Sequence, residues 1–175
     1  NAGDQLCFDM EFTDVDGDSL FLLAAGSIFD GGLFSPPATI GSPDSALASI
    51  GTTFCWNTSC DQGQSTPYLF SVSVTDNGCP PKTVDVVVQV QVNPFAGPAT
   101  ITGPTTVCTG QEGSAYSTLS IAGATYTWSV SGGAIASGQG SNAITVDWGA
   151  PGIGSVSVFA TDSLGCSSAP ITLAV

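Results

Sequence analysis

Four aspartates offer the strongest prospect of specific chemistry in this chain. Asp14, Asp16 and Asp18 alternate with Val15 and Gly17, and Asp76 ends a serine–valine run from Ser71 to Val74 that passes through Thr75. Carboxylates spaced in this way on a turn present several oxygen ligands, the donors that Ca2+ takes in flexible geometry, and Gly17 permits the bend. The EF-hand spacing is not met, because Gly17 stands where its next spacer should be and no Glu closes the loop. The competing use is a turn whose carboxylates bond their own backbone. Ca2+ in the first half is the one cofactor these residues suggest.

Catalysis finds little else to work with. The chain has no His and no Arg, and Lys82 is its single Lys. General-base work near neutral pH would fall to carboxylates alone, and the many Ser and Thr hydroxyls have no imidazole to activate them. Asp9 and Glu11 form a pair, but strand parity points both outward into water, where a glycosidase acid would not keep its proton. No enzyme is expected. Sugar binding by stacking would need a row of exposed aromatics, and only Phe29, Phe34 and Phe159 depart from inward parity.

The charge pattern narrows the partners. Fourteen acids face one base, for a net charge of −13; 11 of the acids precede Asn93 and six of those fall between Asp4 and Asp18. Such a surface repels phosphate, so nucleic-acid binding is set aside. No run of apolar residues is long enough for a membrane span.

Six cysteines in a chain this poor in reactive groups point to disulfides and an oxidising, extracellular setting. Cys7 and Cys55 both have outward parity on strands that would be neighbours, and Ala115 and Asp147 replace both in the second half, which suggests a cross-strand pair. Cys108 and Cys166 then pair as the only cysteines of the second half. Cys60 and Cys79 are left over at opposite ends of a simple sandwich, with Cys55 to Cys60 as the rival local loop.

The elements that must position these residues are written twice. Ser71-Val72-Ser73-Val74-Thr75-Asp76-Asn77-Gly78-Cys79 is echoed by Ser155 to Val158, then Thr161-Asp162-Ser163-Leu164-Gly165-Cys166, with Asp76 and Asp162 86 residues apart. Thr53-Phe54-Cys55-Trp56 is likewise answered by Thr145-Val146-Asp147-Trp148, and Ala2-Gly3-Asp4-Gln5 by Thr109-Gly110-Gln111-Glu112. Three matches in one order make a tandem repeat. Two domains follow, 1–93 and 99–175, joined by a proline-stiffened linker, 94–98, whose Phe95 is placed to pack between them. Val175 ends inside a strand pattern, and the chain is expected to be a slice of something longer.

Alternation of apolar and polar residues predicts strands. In the first domain these are Leu6 to Phe12, Thr53 to Trp56, Tyr68 to Val74 and Thr83 to Val92, with Leu20 to Ala25 as a fully buried run. Gly26 to Gly51 reads as a long connection, with Ser42-Pro43-Asp44 capping a helical turn over Ser45 to Ala48. In the second, strands are expected at Thr100 to Thr102, Thr106 to Cys108, Ser114 to Ser117, Thr125 to Ser131, Ala143 to Trp148, Ser155 to Thr161 and Ala169 to Val175, with Trp128 at the core centre. The fold class is all-β, two tandem immunoglobulin-like β-sandwich domains. In such a sandwich the loop holding Asp14, Asp16 and Asp18 and the loop holding Asp76 open at the same end. Thr118 to Thr125 has no carboxylate to match the first loop, so Asp162 is expected to cap a turn.

Several of these residues resemble known repeats. Gly103-Pro104, Val107-Cys108-Thr109-Gly110, Tyr126-Thr127-Trp128, Val146-Asp147-Trp148-Gly149 and Gly165-Cys166 resemble the PKD-like and immunoglobulin-like repeats of large surface proteins in Bacteroidota. Phe12-Thr13-Asp14-Val15-Asp16-Gly17-Asp18, Phe54-Cys55-Trp56 and Val74-Thr75-Asp76-Asn77-Gly78-Cys79-Pro80 are similar to the cadherin-like repeats that accompany them. The resemblance implies export, often by the type IX system, and service as a segment of a giant adhesin or filament, extracellular and at the cell surface. Its implied partners are neighbouring repeats of the same long chain and identical chains in a filament. It also likens Asp18-Ser19-Leu20, Asp44-Ser45-Ala46 and Asp162-Ser163-Leu164 to an O-glycosylation signal, which would put glycans on Ser19, Ser45 and Ser163. Asn57-Thr58-Ser59 separately matches the N-glycosylation sequon. A ligand-binding module for glycan or protein, and an accessory domain of a secreted hydrolase, are the alternative functions.

Overall fold

The computed structural model describes residues 1–41 and 45–175. It divides into two compact units, Asn1–Pro94 and Phe95–Val175. The chain is all-β, with short 3-10 turns at Ser27–Phe29 and Cys60–Gln62.

In the first unit the strands are β1 (Gln5–Thr13), β2 (Ser19–Ala25), β3 (Thr39–Ile40), β4 (Ser45–Leu47), β5 (Ser49–Asn57), β6 (Tyr68–Asp76) and β7 (Thr83–Val90). They form antiparallel sheets in the orders β1-β5-β3 and β4-β2-β6-β7. Period-2 alternation aims Ile50, Phe54 and Trp56 of β5 and Phe70, Val72 and Val74 of β6 into one core, and all six are buried. Across the interior Phe54 stacks on Phe70 with centroids 4.9 Å apart, and Trp56 meets Tyr68 edge-on at 4.9 Å. These are the offset and edge-to-face geometries that the ring quadrupole favours.

Several expectations are corrected here. The run Leu20 to Ala25 is not buried on both faces: Leu20 is interior, whereas Phe21 and Leu23 are exposed on the outer face of a two-layer sandwich. Ser45 to Leu47 is strand β4 rather than helix, because Ala46 pairs with Leu20 and Ala48 turns the chain at φ 64°. The proposed cap at Ser42, Pro43 and Asp44 lies outside the described residues. The long connection also supplies β3, and Phe29 and Phe34 are half-buried lids on the aromatic core, Phe29 against Phe70 and Phe34 against Trp56 and Tyr68.

The second unit contains β8 (Ser114–Ser117), β9 (Thr125–Ser131), β10 (Gly133–Ser137), β11 (Ala143–Trp148), β12 (Ser155–Thr161) and β13 (Ile171–Ala174), in sheets β10-β11-β8 and β13-β12-β9. The two sheets enclose Tyr116, Trp128, Val146, Trp148, Val156 and Val158, an immunoglobulin-type core. Trp128 lies at its centre, its indole N–H donating to the Ser141 carbonyl at 2.8 Å. Phe95 packs against this same core.

Thr100 to Cys108 forms no full strand. A single bridge joins Thr102 to Ser117, and Gly103 brings the backbone so close to the Tyr116 ring that a Cβ there would sit 2.2 Å from it. Pro104, which has no N–H for a ladder, accepts instead from the Tyr116 hydroxyl at 3.0 Å. Strand β10 carries no alternation signal, because Gly133-Ala134-Ile135-Ala136-Ser137 has only one large apolar residue.

Candidate functional site

The turn from Asp14 to Ser19 and the turn after Asp76 do meet. Asn77 N–H donates to the Ser19 carbonyl at 3.1 Å, and Ser19 N–H donates to Asn77 Oδ1 at 2.9 Å. Around this clasp each aspartate has separate work. Asp14 Oδ1 accepts from the amides of Asp16 (2.8 Å) and Asp18 (3.2 Å), which folds the turn on itself. Asp16 faces the Lys82 ammonium at 3.6 Å, an exposed pair worth little to stability. Asp76 is buried, and its Oδ1 accepts from the amides of Gly78 (3.0 Å) and Lys82 (2.8 Å).

Asp18 and Asp76 converge on Gly78. A Cβ added there would lie 2.7 Å from Asp18 Oδ2 and 3.2 Å from Asp76 Oδ1, so a larger residue between the two carboxylates would have to push the Asp18 side chain aside. Among the described residues, no group of three or more His, Cys, Asp or Glu side chains is arranged to hold one metal ion. The arrangement gathers the four aspartates at one end of the sandwich and spends Asp14 and Asp76 on backbone amides.

Asp162 does the same work as Asp76. Its Oδ1 accepts from the amides of Leu164 and Cys166, both at 2.9 Å, and its own amide donates to the Cys166 carbonyl at 3.0 Å, as that of Asp76 does to Lys82. The repeated aspartate is therefore a turn-closing device in both units. Removing it strands two amides that each bond to a charged acceptor. Asp76→Ala is expected to cost the first unit about 2 kcal/mol and Asp162→Ala the second about 1 kcal/mol, since Asp162 is less buried. Urea unfolding of each variant checks this; a loss confined to Asp76→Ala would break the equivalence.

Backbone donors hold the Asp14 carboxyl below its usual range, the Asp18 amide contributing most, with burial opposing and the Asp16 and Gly17 amides and Lys82 assisting. A carboxyl depressed on folding lends stability above its unfolded value near 3.8 and loses it as pH falls through the folded value. The melting temperature of the first unit should therefore decline below about pH 4, and Asp14→Asn should flatten part of that decline. Parallel acid profiles for the two proteins would refute this assignment.

Cys7 and Cys55 sit opposite each other on β1 and β5 and are joined by a disulfide, with Cα atoms 4.2 Å apart. The other expected pairings are corrected. Cys79 and Cys108 are free and exposed, so neither Cys60 to Cys79 nor Cys108 to Cys166 forms, and the Cys7 bond removes the Cys55 to Cys60 alternative. Cys79 follows β6 whereas Cys60 precedes it, and a nine-residue strand separates the two ends. Cys166 is buried beneath its turn whereas Cys108 faces solvent.

Of the expected glycan acceptors, Ser45 and Ser163 are exposed, and Ser19 is half-buried within the Asn77 clasp. Asn57 is exposed, but the Thr58 hydroxyl of its sequon is buried and donates to the Asp4 carbonyl at 2.8 Å. Among the described residues no helix is long and apolar enough to cross a membrane.

No curated protein matches the chain. Among solved structures, that of the protocadherin GammaB4 extracellular domain aligns over 99% of this chain and 29% of its own, at 14% identity and a TM-score of 0.30. This chain thus spans under a third of that protein's length. The second unit, with its Trp128 core, its Asp162 turn and the linker segment leading into it, matches the family of the PKD-like domain over residues 94–175.

Proposed function

We propose that the chain is a structural segment of a large extracellular adhesin or cell-surface filament, in which successive sandwiches give reach and hold attachment sites away from the cell. The observation that carries this reading is the shared construction of the two units: each closes its sixth-strand or twelfth-strand turn on an aspartate, Asp76 or Asp162, and encloses its own aromatic core. The PKD-like match of the second unit supports it. No catalytic role is assigned to any side chain. The Cys7–Cys55 disulfide fits the oxidising environment outside the cell. Neighbouring repeats of the same long chain are the proposed partners, and type IX export is the proposed route. Ser45 and Ser163, both exposed, are the proposed glycan acceptors.

The decisive experiment is to read the coding sequence on either side of this segment in its source genome. Further sandwich repeats are expected on both flanks. A catalytic domain joined directly to either end would overturn the reading in favour of an accessory domain of a secreted hydrolase. A glycan-binding reading draws little support from the aromatics, since Phe29 and Phe34 are occupied by the core and the exposed Phe21 and half-buried Phe159 lie in different units and form no row.

The aspartate loops are proposed to act as self-bonded turns within this scaffold. At constant ionic strength, about 2 mM Ca2+ is expected to leave the melting temperature of the first unit unchanged relative to chelator, because the Asp14 and Asp76 Oδ1 atoms already hold two amides each. An upward shift that disappears in Asp16→Ala would restore a calcium site.

A further inference from the structure

The first unit has an open seam. Strand β1 is the edge of one sheet and β7 the edge of the other. A cavity opens at each end of β1: one of about 360 Å3 is lined by Phe12 beside Val74 and Val84, and another of about 260 Å3 by Leu6 beside Gln91 and Val92, which follow β7. The inward row of β1, Leu6, Phe8, Met10 and Phe12, is nowhere fully buried, and Val84 on β7 is 58% exposed. On β5, one strand further in, Phe54 and Trp56 are at most 1% exposed. An edge row has a neighbour on one side only; among the described residues no strand pairs with the free side of β1, and the segment after β7 bonds not to β1 but to the chain ahead of it, the Ala2 amide donating to the Asn93 carbonyl at 2.8 Å.

The second unit contains its own control. Strand β8 is likewise the edge of its sheet, next to β11. Its free side, however, is taken by the chain itself: Thr102 exchanges two backbone bonds with Ser117, at 2.8 and 2.9 Å, and the Thr118 hydroxyl donates to the Thr100 carbonyl at 2.7 Å. Ile101 and Val107 from this segment pack on the core, and Ser114 and Tyr116 of β8 are buried. One extended segment along the edge strand therefore suffices to seal this fold.

Charge selects the occupant in the first unit. Asp9 and Glu11 are exposed on the outward row of β1, and Lys82, the only side-chain cation in the chain, lines the Phe12 cavity with its ammonium paired to Asp16 at 3.6 Å. A second copy would bring a net charge of −13 against −13. We propose that the β1 edge and the seam beside it accept an extended basic polypeptide from another protein, adding as a strand to β1. Its alternate apolar side chains enter the Phe12 and Leu6 cavities, and the lysines or arginines between them lie beside Asp9 and Glu11. From Leu6 to Phe12 this takes a strand of about seven residues.

The test uses the full chain and a labelled, end-blocked peptide of about nine residues that alternates valine with lysine. Fluorescence anisotropy should give a Kd on the order of 10–100 μM at about 50 mM NaCl, weakening roughly tenfold by about 300 mM as the charges are screened. Hydrogen exchange should slow at the alternate β1 amides that point away from β5. Glu11→Lys should weaken binding about tenfold and Val84→Lys, which adds a second ammonium to the cavity wall beside Lys82 and fills the apolar space, should abolish it; Glu11→Gln, with an intermediate loss, guards against misfolding. Absence of binding would overturn the proposal. So would equal binding by the same peptide with a central proline, since a strand cannot form there, or a dimer of the chain whose β1 amides are protected without peptide.

Discussion

Replacing Cys7 and Cys55 together by alanine is expected to lower the stability of the first unit by about 4 kcal/mol. The bond closes a loop with a sequence separation of 48 residues, and removing it returns that loop's closure entropy to the unfolded chain. The native side of the balance changes little, because the two residues are already opposite each other in the β1–β5 ladder and lie on the outward face. With roughly 0.05–0.15 kcal/mol of stability per residue, the loss is about a third to most of the stability of a unit this size. Chemical denaturation of the double variant, followed by near-ultraviolet circular dichroism, measures it. A loss under about 1 kcal/mol would mean that the unfolded chain is already compact there and that the bond only decorates a ladder held by other forces.

The second large effect is expected at Trp128. Trp128→Ala should cost the second unit about 3–5 kcal/mol, the range for deleting a large buried aromatic side chain. The indole is 2% exposed and packs among Tyr126, Val146 and Val158 in the core. Its loss also leaves the Ser141 carbonyl without the indole donor, and the backbone of residue 128 is held at both its N–H and its C=O by the Gln139 amide, at 3.0 Å each. Those two bonds survive the substitution, so β9 keeps its register while the interior empties. Trp128→Phe, which refills most of the volume without the donor, should recover more than half of the loss. If alanine and phenylalanine variants unfolded at the same denaturant concentration, the hydrogen bond rather than the packing would be the main contribution.

Much of this architecture was legible in the residues themselves. Strand identity follows from period-2 alternation, which is a local property, and it places β5, β6, β9, β11 and β12 with their inward residues correctly. The same parity puts Cys7 and Cys55 on one outward face, where they bond. The repeat of Asp76 by Asp162 was visible too. What each aspartate bonds was not: which backbone amides reach its Oδ1 depends on the path of the returning chain. In the structure that path carries the Lys82 and Cys166 amides onto the two side chains.

Register lay further out of reach. Aligning the repeats sets Ala115 against Asp147 as the counterpart of Cys7 and Cys55, yet Ala115 pairs with Thr145, a slide of one full side-chain period that leaves both faces unchanged and so leaves no mark in the hydrophobic pattern. Cysteine pairing by elimination failed at Cys79 and Cys108 for a related reason, since composition counts thiols whereas bonding requires two Cβ atoms within about 4 Å. Alternation alone thus determined that this chain folds as all-β sandwiches and which residues of β5, β6, β9, β11 and β12 face their cores, but not the outward Phe21 and Leu23 of β2 or the strands β4 and β10. Tertiary structure decided which edges are sealed, which carboxylates are spent on backbone and which thiols stay free, because each depends on segments distant in sequence arriving at one place.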